Sequence, residues 1–262
     1  MLSGTVLGTV DLMLRLKQGS LPRLSERLGY GVRTNSEALI PVTVPDGKSV
    51  FSDGVAIGSI LHTDEHSHLE PVRYSAGSGF WRLLMGPRVY HRSGWVRALK
   101  LLGDWLRHPL MNLKVLFVDD WAKRTQVLLY MRTVDGTLRM VRGRFGLSTR
   151  LDVGPAPTPF MPEAMDLSER YAAIVGGKPV AMVSETVLGI PSTAHILGGA
   201  CMGRDASEGV IDGDNRVFGY RNMYVCDGSM ISANPGVNPS LSITAISERA
   251  MSKVLPPDAR NT

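Results

Sequence analysis

Apolar residues recur at helical spacing over residues 8–17, where Leu12, Met13 and Leu16 share a face and Thr9 stands ready to cap. Leu21–Leu28 reads as a second, shorter amphipathic turn closed by Gly29, and Arg33–Glu37 as a polar turn before the Ala38–Ile40 run. From Pro41 to Leu61 the pattern changes to alternation broken by glycine and aspartate, with a turn at Asp46-Gly47 and a short strand at Val55–Ile60. Trp95, Leu99, Leu102 and Leu106 return to helical spacing, and Pro109 is expected to end that helix. Thr125–Val134 and Thr137–Phe145 read as a hairpin around Asp135-Gly136. Residues 147–162 are proline-rich and loop-like, and 163–178 form a helix closed by Gly176-Gly177. Near the end, a short apolar run, Met223–Cys226, is followed by a glycine- and asparagine-rich loop. At Asn238-Pro239 a last helical pattern begins, with Asn238 as its cap and Pro239 at the first helical position.

These elements give an α/β (α+β) chain: an α/β beginning, a β-rich middle and an α/β end, the two ends belonging together with the middle inserted. The chain has 262 residues, 44% hydrophobic and 20% charged, enough for one large domain or two modest ones. A net charge of +5 with dispersed basic residues suits an anionic cofactor or membrane surface. No nucleic-acid motif accompanies it, so no nucleic-acid partner is expected. Cys201 and Cys226 are far apart and read as reduced thiols near a core. No apolar run is long enough to span a bilayer, and no signal peptide is evident. The opening, Met1–Thr9, begins inside what reads as a strand-to-helix turn, as expected of the later part of a longer protein.

Three stretches invite chemistry. His62, His66 and His68 with Asp64, Glu65 and Glu70 include metal-ligand types. A loop spacing supplies no convergent geometry, so a polar edge segment or a functional carboxylate at Glu70 are the competing readings, and no metal is expected. The 80–118 segment, rich in Trp, Leu and basic residues, is either a helix packed on its own sheet or a lid or membrane-surface helix. The third stretch is Pro191–Val254, where His195 precedes a glycine pair and small residues lead into a helix. That order brings backbone close to a cofactor at a helix N-terminus.

T-A-H-I-L-G-G-A-C-M-G at 193–203 and N-M-Y-V-C-D-G-S-M-I-S-A-N-P-G-V-N-P-S-L-S-I-T-A-I-S-E-R at 222–249 together resemble the C-terminal part of the glucose-methanol-choline (GMC) family of FAD oxidoreductases, its cholesterol-oxidase-like branch in particular. L-G-T-V-D-L-M-L-R-L-K, V-R-T-N-S-E-A-L, L-E-P-V-R-Y and W-A-K-R-T-Q-V-L-L-Y-M agree with it. The resemblance implies part of a Rossmann-like FAD domain with an inserted substrate domain on an antiparallel sheet: residues 1–40 and 186–262 on the FAD side, 41–185 binding substrate. It implies FAD as cofactor and a small-molecule alcohol as substrate, a sterol by the branch. A non-steroid alcohol, or a cofactor-free lipid- or membrane-binding module, are the alternatives. Location is left open between cytoplasmic and membrane-peripheral.

The resemblance implies the base or orienting role for His195, the substrate oxygen or flavin edge for Asn238, and the proton shuttle of a double-bond shift for Glu70. Asp227, Gly228, Asn238 and Pro239 fall on the cofactor side. The family's opening G-x-G-x-x-G loop does not occur here, so an N-terminal FAD-binding segment is expected to be missing and the chain alone to hold FAD weakly.

Overall fold

The computed structural model describes residues 1–144 and 146–254. In chain order it contains α1 (Thr5–Lys17), β1 (Ala38–Thr43), β2 (Leu61–Asp64), β3 (Ser67–Val72), β4 (Met85–Pro87), α2 (Gly94–Arg107), α3 (Pro109–Leu116), α4 (Trp121–Arg124), β5 (Thr125–Arg132), β6 (Thr137–Gly143), β7 (Gly146–Val153), α5 (Pro162–Val175), β8 (Lys178–Met182) and α6 (Ser240–Ser252). The fold is mixed α/β on an antiparallel sheet. It divides into two compact units: residues 1–35, 133–156 and 194–262, and residues 36–132 and 157–193. The 133–156 stretch falls with the chain ends, whereas the sequence reading had kept it in the middle segment.

The unit of residues 36–132 and 157–193 is a six-stranded sheet in the order β2-β3-β5-β1-β8-β4. Its central strands β1 and β5 run antiparallel from Ala38↔Tyr130 to Thr43↔Thr125 and are buried almost throughout. A central strand covered on both faces carries apolar residues on both, which is why 125–131 shows no clean alternation. Period-two geometry then sorts the side chains into two cores. Ala38, Ile40, Val42, Leu69, Leu128 and Tyr130 pack on one face against Met161, Ala164 and Ala172 of the α5 region. Leu39, Val72 and Val127 lie on the other with Trp121 and Ala122 of α4. Helix α5 ends at Gly176, whose φ of 69° is the left-handed closure its sequence announces.

The other unit has less regular structure. Helix α1 buries Val6, Thr9, Val10 and Met13, with Leu12 exposed, so the buried stripe is displaced from the Leu12/Met13/Leu16 face. Thr9 lies inside α1 and does not cap it from outside; its hydroxyl accepts from the Gly4 N–H at 3.0 Å. Met13 joins Leu24, Leu28, Leu197, Val210, Ile211, Val225 and Met230 in one core.

Several local expectations are corrected. The hairpin is β6–β7, pairing Thr137↔Val153 through Gly143↔Gly146, not 125–134 with 137–145. Residues 147–153, expected as loop, are strand. Asp135-Gly136 makes no hairpin turn, because β5 pairs with β1 and β3 instead of with β6; Gly136 packs so closely on Pro155 that a Cβ would meet its carbonyl oxygen at 2.5 Å. Phe145, included in the expected strand, lies outside the described residues. Val55–Ile60 forms only a single bridge, Ile57↔Val72, and Met223–Cys226 makes bridges from Tyr224 and Val225 without becoming a strand. Pro109 opens α3 as well as ending α2. Helix α6 starts at Ser240, with Pro239 in the capping position and no side-chain cap, so Asn238 is not its cap.

Candidate functional site

His195 sits half-buried in a stretch whose backbone is held from two sides. Leu197, two residues on, exchanges both backbone hydrogen bonds with Arg33, at 2.7 and 2.9 Å. The N–H groups of Gly198 and Ala200 donate to the carbonyls of Gly228 and Ser229, each at 2.9 Å, and the Gly29 N–H donates to the Gly199 carbonyl at 2.7 Å. Three chain segments thus meet around the glycine pair. Gly198 has φ +79°, and a Cβ there would stand 2.1 Å from the Gly31 carbonyl oxygen; one on Gly199 would be 2.7 Å from Val10. Only glycine meets both demands, a left-handed backbone and no side chain.

Asp227 is buried, and its carboxylate is fully engaged within the protein. Oδ2 accepts from the Thr9 hydroxyl at 2.5 Å, and Oδ1 from the Ser229 N–H at 2.9 Å and the Ser229 hydroxyl at 2.5 Å. It caps the short turn Gly228–Met230 and ties that turn to α1. Gly228 is tightly packed, with Val6 Cγ2 at 3.1 Å and the Ile196 carbonyl at 3.3 Å from any added Cβ.

Asn238 is half-buried and Pro239 buried, at the end of a loop with its own ties. The wholly buried Asn35 donates from Nδ2 to the Val237 carbonyl at 2.9 Å. Asn234 donates to the Val134 carbonyl at 3.0 Å, and its Oδ1 accepts from the Gly236 N–H at 2.8 Å. Residues 33–35 therefore form a short strut: Arg33 fixes the backbone two residues beyond His195, and Asn35 fixes the carbonyl beside Asn238. Sequence reasoning took this stretch for a polar turn and missed its role. A buried-type polar residue just ahead of an apolar run was the available signal.

In the other unit, Glu70 lies on β3, opposite Leu129 of β5, and is buried. Alternation turns it with His68 away from the Leu69 face, and His68 Nε2 stands 3.4 Å from Glu70 Oε1. The 62–74 segment is thus two paired strands, of which β2 alone is the edge. Among the described residues no group of three or more His, Cys, Asp or Glu converges as a metal site. Two further buried carboxylates escaped the sequence reading. Glu185 accepts from the Ser192 N–H at 3.1 Å, and Glu37 bonds the Thr193 hydroxyl, so the chain just ahead of His195 in sequence is held by consecutive residues. Burial pushes the Glu185 carboxyl above its ordinary value, against the opposing effect of the Ser192 hydrogen bonds. Glu185 also lines a small cavity of about 20 Å³ with Arg88, Phe160, Met165 and Thr186.

A family model for GMC oxidoreductases matches residues 124–247, and the chain belongs to that family. Among curated proteins, the cholesterol oxidase of Acinetobacter baumannii is 39% identical over 259 residues, covering 96% of this chain and 46% of that protein. The cholesterol oxidase of Mycobacterium tuberculosis (strain CDC 1551 / Oshkosh) is 38% identical over 263 residues, covering 94% and 44%. The chain therefore spans about half the length of the curated relatives it matches. The crystal structure of pyridoxine 4-oxidase from Mesorbium loti superposes with a TM-score of 0.44 at 12% identity, over 87% of this chain and 44% of that one.

Proposed function

We propose that this chain is the substrate-facing and proton-handling portion of an FAD-dependent alcohol oxidoreductase whose substrate is a 3β-hydroxysteroid such as cholesterol. The main support is the likeness of 38–39% to two proteins named cholesterol oxidase across nearly the whole chain, together with the backbone bonds that fix the segment following His195. FAD, when bound, supplies the hydride acceptor for the alcohol C–H bond. His195 accepts the hydroxyl proton, as an imidazole acting as general base does. Asn238 orients the substrate oxygen.

The first turn of α6 fits the cofactor. No side chain caps it, so its leading N–H groups and positive end face an electron-rich partner, worth about 1 kcal/mol. Gly228, packed on Val6 and the Ile196 carbonyl, and Pro239, in the capping position of α6, are assigned to the cofactor side with it. Asp227 serves by holding the Gly228–Met230 turn, since both its oxygens are already engaged. Glu70 carries the proton that moves when the steroid double bond shifts.

The test is made on the intact gene product supplied with FAD and an electron-accepting dye. Cholesterol-dependent formation of the 3-ketosteroid is expected. His195→Gln should lower turnover by about 10²–10⁴-fold with the flavin absorbance retained. Glu70→Gln should spare oxidation more than isomerisation. Absence of sterol turnover with a bound flavin would redirect the substrate assignment to another alcohol, and equal loss of both activities in Glu70→Gln would remove the separate role of that carboxylate.

A further inference from the structure

We propose that the outward face of α2 and α3 is a docking surface for an anionic lipid bilayer. Helix α2 is amphipathic, yet the only residue it buries is an arginine. The Arg97 guanidinium donates to the carbonyls of His91 at 2.8 Å, Arg92 at 3.2 Å and Val187 at 3.0 Å. Further along, Asp104 Oδ2 accepts from Lys178 at 2.7 Å and from Asn112 at 3.0 Å, and Asn112 Oδ1 accepts from Lys178 at 2.6 Å. These polar anchors set how the helix is turned. Trp95, Leu99, Leu102 and Leu106, at steps of four, three and four, are left 56–83% exposed. Leu110, Leu113 and Phe117, at steps of three and four along α3 and its end, are 44–74% exposed.

Helices of soluble domains turn such stripes inward, and a contiguous exposed one marks an interaction surface. Charge selects the occupant. Arg92, Lys100, Arg107 and Lys114 are exposed around the stripe, and the one acidic residue of α2 and α3, Asp104, is paired with Lys178. A second copy of the face would set these cations against their own kind, whereas anionic headgroups neutralise them. Trp and Leu on one side with Lys and Arg flanking is the composition of a helix lying in the headgroup layer. The contact is in-plane, since no described helix is long and apolar enough to cross a membrane. This inference does not depend on the flavin reading.

Co-sedimentation of the intact gene product with phosphatidylcholine vesicles, with and without phosphatidylglycerol, tests it. Binding is expected to the anionic vesicles, and about tenfold or more weaker binding to the neutral ones and for Lys100→Glu/Arg107→Glu. Leu99→Asp/Leu106→Asp should abolish binding, and Leu99→Ser/Leu106→Ser should weaken it, with far-UV circular dichroism unchanged because those side chains are exposed. Failure to bind anionic vesicles, or binding indifferent to the leucine substitutions, overturns the proposal. So does a dimer, seen by sedimentation velocity, that the same substitutions dissociate.

Discussion

In the unit of residues 1–35, 133–156 and 194–262, His195 and Asn238 are placed by irregular backbone: a glycine pair pressed on neighbouring chain, a buried asparagine on a carbonyl, an aspartate tying a turn to a helix. In the unit of residues 36–132 and 157–193, Glu70 is placed by a six-residue β3–β5 ladder with apolar layers on both faces. The first arrangement brings unlike segments together at single points. It rests on unlike contacts made by different segments, not on one bond repeated along a regular pair of strands. A ladder repeats its bond at every second residue, and the loss of one leaves the register set by the others. The comparison therefore predicts that small changes to side-chain volume or hydrogen bonding weigh more heavily in the first unit than in the second.

Gly198→Ala is the largest expected effect. It adds one methyl group at φ +79° and 2.1 Å from a carbonyl oxygen, so backbone must move. A loss of about 3–5 kcal/mol is expected, read as a fall in the thermal or urea midpoint. Gly8→Ala is the control within the same unit. Gly8 lies inside α1 with open space around it, and alanine there should stabilise by about 1 kcal/mol. Similar small effects at both sites would show that the glycine pair is no pivot.

Next in size is the strut. Asn35→Ala removes a buried donor from the Val237 carbonyl and should cost about 1–3 kcal/mol. Under the proposed function it should also lower turnover more than it raises KM, since it loosens the loop beside Asn238. The matching change in the sheet is Thr43→Val. Among the described residues, the Thr43 and Thr125 hydroxyls bond each other across β1 and β5, at 2.9 Å. The single change strands a buried hydroxyl and should cost about 1 kcal/mol. The double change, Thr43→Val with Thr125→Val, should recover most of that, because neither partner is left unpaired. A double mutant that simply adds the two losses would show the ladder to be no more forgiving than the loops.

The same contrast explains what the sequence revealed. The glycine pair after His195 was legible because two adjacent glycines at that point answer a local demand, a left-handed backbone pressed on neighbouring chain. Helices α1, α5 and α6 were legible from periodicity to within a few residues, as was the left-handed closure at Gly176. The partners of β5 were not. Asp135-Gly136 carries a strong local turn signal, yet β5 pairs with β1 and β3, far away in sequence, and no local pattern encodes that choice. The direction of the α2 stripe was equally hidden, since apolar spacing is identical whether the face turns in or out. What decides it is Arg97 and the Asp104–Lys178–Asn112 cluster, whose partners lie elsewhere in the chain.

Glu185 supplies the subtlest test, because the sheet unit holds a carboxyl where charge is disfavoured. Burial raises its pKa above the ordinary 4.5, with the Ser192 hydrogen bonds opposing. A carboxyl whose folded value is raised favours the folded state fully only below its unfolded value, near 4.5, and that contribution is lost as pH climbs through the folded value. Glu185→Gln keeps an oxygen to accept the Ser192 N–H but cannot ionise. The variant should therefore unfold at the same temperature as the parent near pH 4 and at a higher one near pH 8, the gap opening as pH rises between them. Melting curves across that range decide it. A gap that is constant with pH would mean that the Glu185 carboxylate is already charged and satisfied where it stands, and that its burial in the sheet unit disfavours charge no more than solvent does.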